Sequence, residues 1–207
     1  MAKIGLKCPV AAPITAENSG AAPTYGTGFI IGRAVAANKT INSNDNPLYA
    51  DDAIAEMDTS FSNGTLEMTV SDFGTDSTDS LEIQASLLGH TIIEEGESPN
   101  TIKVLRKKSG DVAPYLGLGY YKTKKLNGVL MYEATLFYKI QFQLPSENSN
   151  TKGENIEWQT PSITGRIMAL PDFDGNYEET AIFSTEAACR TWLFGKLNYT
   201  ENSSAGG

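Results

Sequence analysis

Histidine occurs once in the 207 residues, as His90, and cysteine twice, as Cys8 and Cys189. One imidazole cannot build a histidine-based metal site, and any Ser–His–Asp triad would have to use it. No serine is surrounded by a nucleophile elbow. His90 follows the expected end of a helix and reads as a surface or capping residue. The two cysteines lie near opposite ends and read as free thiols of a reducing cytosol, with one long-range disulfide as the alternative. Residues 1–7 lack the apolar stretch of a secretory signal, and no apolar run approaches the ~20 residues that span a bilayer. The expectation is a protein made and used in soluble form, with no membrane partner.

Basic residues are also scarce, and they are scarce in a pattern. Sixteen Lys and Arg against twenty-five Asp and Glu give a net charge of −9, which opposes generic nucleic-acid binding. Residues 40–102 contain no Lys or Arg but thirteen acids, among them Asp45, Asp51, Asp52, Glu56 and Asp58. Residues 103–144 reverse the balance. There Lys103, Arg106, Lys107, Lys108, Lys122, Lys124, Lys125 and Lys139 face only Asp111 and Glu133. Two solvated faces of a monomer would account for this. A head-to-tail interface, acidic patch on one copy against basic patch on the next, is the sharper reading, because such contacts close into rings. Tyr115, Tyr120 and Tyr121 beside the basic cluster are the mix of a single-strand binder, a minor option given the overall acidity.

Other signals for small ligands fall short. Gly117 and Gly119 make Gly-x-Gly without the helix start a phosphate loop needs. Asp172, Asp174, Gly175 and Asn176 look like part of a calcium loop but lack a correctly spaced bidentate Glu, so a turn is expected. The Asx-rich connection at 42–58 could hold a divalent cation. The sequons at Asn38, Asn63 and Asn198 read as chance matches. No cofactor and no catalytic constellation is expected.

What the chain does contain is alternation. Residues 9–26, rich in Pro, Ala and Gly, read as an irregular arm. A first strand is predicted near 28–41 and a long acidic loop at 42–61, with Asn63-Gly64 as a hairpin turn. Leu66, Met68 and Val70 alternate with Thr65, Glu67 and Thr69 as a half-buried strand. Asp79 and Glu82 can form a capping box for a helix over 80–88, with Leu81, Ala85 and Leu88 inward and Gly89 as its C-cap. Over 130–144, Leu130, Tyr132, Ala134, Leu136, Tyr138, Ile140, Phe142 and Leu144 form one apolar face. Glu133, Thr135, Lys139, Gln141 and Gln143 stand opposite, with Met131 and Phe137 as exceptions. At ~3.3 Å per residue this strand spans about 50 Å, enough for a tall wall with one polar face. Further strands are expected around Ile156, Trp158 and Thr160 and over 163–170. A last helix is expected to be capped by Ser184, to turn Ala188, Cys189, Trp192 and Leu193 inward, and to end at Gly195.

Several pieces in order resemble the major tail proteins, or tail tube proteins, of long-tailed phages and prophages of Gram-positive bacteria. They are Met1-Ala2-Lys3-Ile4-Gly5-Leu6, Leu48-Tyr49-Ala50-Asp51-Asp52 running on to Asp58-Thr59-Ser60-Phe61-Ser62-Asn63-Gly64, and Leu87-Leu88-Gly89-His90. The aromatic strand 132–142 and Thr151-Lys152-Gly153-Glu154-Asn155-Ile156-Glu157-Trp158-Gln159-Thr160-Pro161 complete the set. The resemblance implies a mainly β fold, a sandwich or half-barrel flanked by a helix, forming one domain over 1–207. Within that domain the residues themselves are read as an N-terminal arm at 1–27, an acidic inter-subunit loop at 42–61 and a flexible tail at 200–207; the Pro/Ala-rich stretch at 9–24 and the Ser/Gly tail depart from the family pattern. The resemblance further implies hexameric rings whose long hairpins join into an inner β-barrel, stacked into a tube around a tape-measure protein. Tail-tip and terminator proteins would be partners, and DNA would later pass without specific binding. The implied location is the virion tail, assembled in the host cytoplasm. The tube of a phage-derived bacteriocin particle is a close variant. A monomeric cell-wall or carbohydrate-binding β-sandwich is a reading of another class.

Overall fold

Leu66, Met68 and Val70 are wholly buried, and the strand their alternation predicts is the spine of one side of the molecule. The structure is a computed structural model describing residues 2–50, 52–75, 79–145 and 160–201. The strands in chain order begin with β1 (Ala2–Ala16), β2 (Thr24–Tyr25), β3 (Phe29–Ile30) and β4 (Gly32–Ser43). Next come β5 (Asn46–Ala50), β6 (Ala53–Asp58), β7 (Phe61–Phe73) and helix α1 (Ser80–Leu88). Then follow β8 (Thr91–Glu95), β9 (Ile102–Arg106), β10 (Tyr115–Leu126) and β11 (Val129–Phe142). The chain continues with β12 (Ser162–Ile167), β13 (Glu178–Phe183) and helix α2 (Glu186–Lys196).

The fold is mainly β and dominated by one antiparallel sheet ordered β2-β1-β10-β11-β12-β7-β4. The segment β3–β4 touches both ends of that order, because Val10 pairs with Ile30 while Lys39 pairs with Leu66. A core of Ile31, Leu66, Met68, Leu118, Phe137 and Ile140 fills the inside of the curled sheet, with Ile83 and Leu87 of α1 packed on it. A second cluster, Val10, Ala12, Leu136, Cys189, Leu193 and Leu197, lies between the opposite side of the sheet and α2. Each side therefore buries apolar surface, at about 25 cal/mol per Å².

The expected irregular arm at 9–26 is corrected. Residues 2–16 form β1, which pairs along β10, and Val10, Ala11 and Ala12 are wholly buried. Small side chains let α2 and the inner core approach this strand from both sides. The prolines are absorbed by irregularity: the register shifts between Lys7 and Val10, and Cys8 takes φ 56 just before Pro9. The 42–61 loop is corrected too. It is a β-hairpin of β5 and β6, with Ala50 opposite Ala53 and Asp52 at φ 61 in the turn. Asn63-Gly64 is no turn but mid-strand, where Gly64 pairs with both Ile41 and Ile167. A Cβ at Gly64 would stand 2.8 Å from Ile41 Cδ1, so close packing rather than chain reversal calls for glycine.

The long strand is present, but its predicted polar face is not a wetted wall. Glu133 and Thr135 are buried, Lys139 and Gln141 are half-buried, and only Gln143 is exposed. Leu144, placed on the apolar face, is 73% exposed. Two-sided cover explains this: Phe137 faces the inner core, while Ala134, Leu136 and Tyr138 lie under α2. Between Phe137 and Ile140 the strand gains one residue against Leu116 and Leu118, a bulge opposite Gly117. Past it, Ile140 and Phe142 turn to the inner core, and the lateral partner changes from β13 to β12.

The helices follow their caps. Asp79 Oδ1 accepts from Leu81 N at 3.0 Å, and Gly89 closes α1 at φ 73. Its buried face is Ile83, Leu87 and Leu88, whereas Leu81 and Ala85 are half-buried. In α2 the cap is Thr185 rather than Ser184, which follows directly on the unforeseen β13. Gly195 lies inside the helix, and Ala188 is exposed. The expected strand around residues 156–160 falls largely outside the described residues, as do Asp51 and the tail from 202 onward.

Candidate functional site

Two β-ribbons run out from the body and carry part of the set picked for inter-subunit contact. The first is β5–β6. Among the described residues its strands pair only with each other, continuing the β4–β7 ribbon beyond the Ser43–Phe61 pair. Asp45, Asp52, Glu56 and Asp58 are all exposed on it. So are Leu48 (58%), Tyr49 (66%), Ile54 (53%) and Met57 (50%). The apolar set was not picked from sequence, because Leu48 and Tyr49 are adjacent and the register shifts between them, which breaks the period. At its base Asp58 accepts from Ser60 N at 2.9 Å and from Asn44 Nδ2 at 3.4 Å. The Ser60 backbone N–H, followed by its hydroxyl, holds the Asp58 carboxyl below its ordinary range. These local bonds fix the base, so Asp58 shapes the ribbon as well as charging it.

The second ribbon is the free end of β1, β10 and β11. Ala2 pairs with Lys125 and Ile4 with Thr123, while Leu130 lies opposite Lys125. Lys125 is exposed, as are Ile4 (50%), Val129 (60%) and Leu130 (49%). Lys124 is largely covered and pairs with Glu133. The ammonium of Lys122 lies 5.1 Å from the centre of the Tyr120 ring.

The structure divides the predicted basic side. Lys103 donates to Glu82 at 2.5 Å and lies 3.7 Å from Asp79, and Arg106 donates to Glu95 at 3.2 Å. The Glu82 contact raises the Lys103 ammonium above its ordinary value. Part of the acidic stretch is thus neutralised within the chain, by the β8–β9 hairpin that sequence reading missed. Lys107 and Lys108 stand exposed on the next loop. Lys139 pairs with Glu17 at 2.5 Å and caps the Tyr115 ring, 4.2 Å away. Gln141 donates to the carbonyl of Ala113 at 2.8 Å. Both residues therefore brace the body.

His90 is corrected from the surface role. Its side chain is 3% exposed, Nδ1 lies 2.9 Å from Asp111 Oδ2, and Nε2 is buried with no partner among the described residues. Asp111 also accepts from Lys108 N at 2.9 Å. Those bonds, Lys108 N first and His90 second, hold the Asp111 carboxyl below its ordinary range. The pair pins the 107–114 loop onto the end of α1. Asp172, Asp174 and Gly175 form the expected turn, a short 3₁₀ segment closed by the Leu170–Asn176 bridge.

No protein-family model matches this chain, and no curated protein matches it.

Proposed function

We propose that the chain is a structural subunit of a phage-type tail tube. In this reading six copies form a ring and rings stack into a hollow tube, with the curled sheet acting as a half-barrel that joins its neighbours into one inner β-barrel. The tube would enclose a tape-measure protein, end on tail-tip and terminator proteins, and conduct DNA without specific binding. Its place would be the virion tail, or the tube of a related bacteriocin particle, built in the bacterial cytoplasm. The chemistry is assembly, not catalysis.

One observation carries this reading: the β5–β6 ribbon projects with four large apolar side chains half or more exposed and both outer edges unpaired among the described residues. An isolated two-stranded ribbon is marginal in water, and open edges invite pairing with another chain. Assembly would cover both liabilities. The net charge of −9 suits a conduit for a polyanion, by simple repulsion.

Negative-stain electron microscopy of the concentrated protein, beside its elution volume on a sizing column, tests the proposal. Rings or hollow tubes are expected. A strict monomer that binds cell-wall glycans would replace this reading with the carbohydrate-binding one.

A further inference from the structure

The two ribbons point the same way. Strand register sets Phe142 beside Gly165, Leu66 and Lys39 in one row, and Ile140 beside Ile167, Gly64 and Ile41 in the next. Following β11 from Phe142 toward Leu130 therefore runs in the same direction as following β7 from Leu66 back into β6. The acidic ribbon and the basic ribbon leave the sheet from one end. Within one chain they are separated there by β13, which takes the side of β11 that β12 covers at the other end. The base of the acidic ribbon leans on the start of β13 through Lys39–Glu178 at 2.7 Å and the Phe61–Tyr177 stack at 4.0 Å.

From this we infer that the acidic β5–β6 ribbon docks side by side on the free end of β1, β10 and β11 of a second copy of this chain. This rests on the assembly reading above and names its contact. Three observations choose the occupant. Charge is complementary, with Asp52 and Glu56 exposed on one ribbon and Lys125 on the other. Both ribbons carry exposed apolar side chains, Tyr49 and Ile54 against Ile4 and Leu130, which would leave water together. Both also present open backbone edges among the described residues: there β5 and β6 pair only with each other, and β1 from Ala2 to Lys7 pairs only with β10. Because the ribbons are projections on different strands, each copy offers one to each neighbour, a heterologous contact of the kind that forms a ring when its rotation closes. The contact differs from a pairing through Lys103 and Arg106, whose charges are met by Glu82 and Glu95.

The test places a benzophenone photo-cross-linker at Tyr49 in the full chain. An equal mixture of ordinary and isotope-labelled protein is irradiated at high concentration, and the linked peptides are identified by mass. Mixed-isotope links from residue 49 to residues 2–7 or 123–130 are expected. In parallel, Lys125→Glu should weaken self-association by about fivefold, in line with an exposed ion pair. Asp52→Lys with Glu56→Lys should restore it. Links to another surface, or none in a protein that forms rings under the microscope, would overturn this docking and leave the tube reading standing. A chain that stays monomeric and gives no mixed link overturns both.

Discussion

The ring of Tyr25 occupies the space a side chain on Gly117 would need: a Cβ there would lie 2.4 Å from Tyr25 Cε1 and 2.8 Å from Leu197 Cδ2. Tyr25 in turn donates to the carbonyl of Tyr138 at 2.8 Å, on the bulge facing Gly117. One glycine thus lets β2, α2's end and the β11 bulge converge. Gly117→Ala should destabilise the protein by about 2 kcal/mol, the usual scale of overpacking. Gly110→Ala, where a Cβ meets nothing within 4 Å, should be near neutral. Urea unfolding of both variants checks this, and equal stability of the two would show that Tyr25 yields. Tyr25→Leu should lessen the Gly117→Ala cost, since residues sharing a space are non-additive.

Asp111 gives an acid-limb prediction. Its folded carboxyl is held below its ordinary value by Lys108 N and then His90. A depressed carboxyl contributes stability that is complete above the unfolded value of ~3.9 and is lost as pH falls through the folded one. Asp111→Asn should therefore be less stable than the parent at neutral pH, with the gap narrowing below about pH 4. Urea midpoints across pH 2.5–7 would show it. A gap that widens in acid would contradict the assignment.

Both thiols should be sluggish. Burial pushes Cys8 and Cys189 up to about 11, and both are free. At pH 8 only about one thiol in a thousand is then ionised, and the thiolate is the reactive form. Ellman's reagent should react slowly with the native protein at pH 8 and promptly with two thiols in urea. Fast native reaction would mean that β1 and α2 separate readily.

Where the reason for an element is local, it was legible in the sequence. Asp79 and Gly89 bound α1 as expected, and the period of Leu66, Met68 and Val70 marked β7. Elements that depend on distant partners were not legible. β1 reads as an arm because Pro9, Ala11, Ala12 and Pro13 have little strand propensity; pairing with β10 under α2 makes it one. The polar face of β11 was sought in water, yet Glu133 meets Lys124 and Thr135 is covered, which only a second layer reveals. Charge segregation was real, but folding brings Lys103 to Glu82 and so consumes part of it. Of the candidate assembly residues, the acids on the outer ribbon were found from composition. Leu48, Tyr49, Ile54 and Met57 were missed because the first two are adjacent with a register shift between them, and the last two stand three residues apart, so no alternation shows.

That outer ribbon also offers the sharpest separation of folding from assembly. Among the described residues, strands β5 and β6 pair only with each other, and none of their residues belongs to either buried core cluster. Meanwhile Ser43 already pairs with Phe61 at the ribbon's base. Replacing residues 46–58 by a short Gly-containing turn should leave the body intact, with a thermal midpoint changed by only about 2–4 °C, the equivalent of roughly 1 kcal/mol for a domain of this size. The same variant should elute as a monomer under conditions where the parent forms rings or tubes. If it assembled like the parent, the exposed apolar ribbon would not be the contact. If it failed to fold, measured as loss of the cooperative circular-dichroism transition, the ribbon would be part of the stability core, contrary to its exposure. A folded variant that has lost only assembly is the expected result, because the ribbon's apolar surface is in water in the single chain and, in the proposed assembly, is what another copy covers.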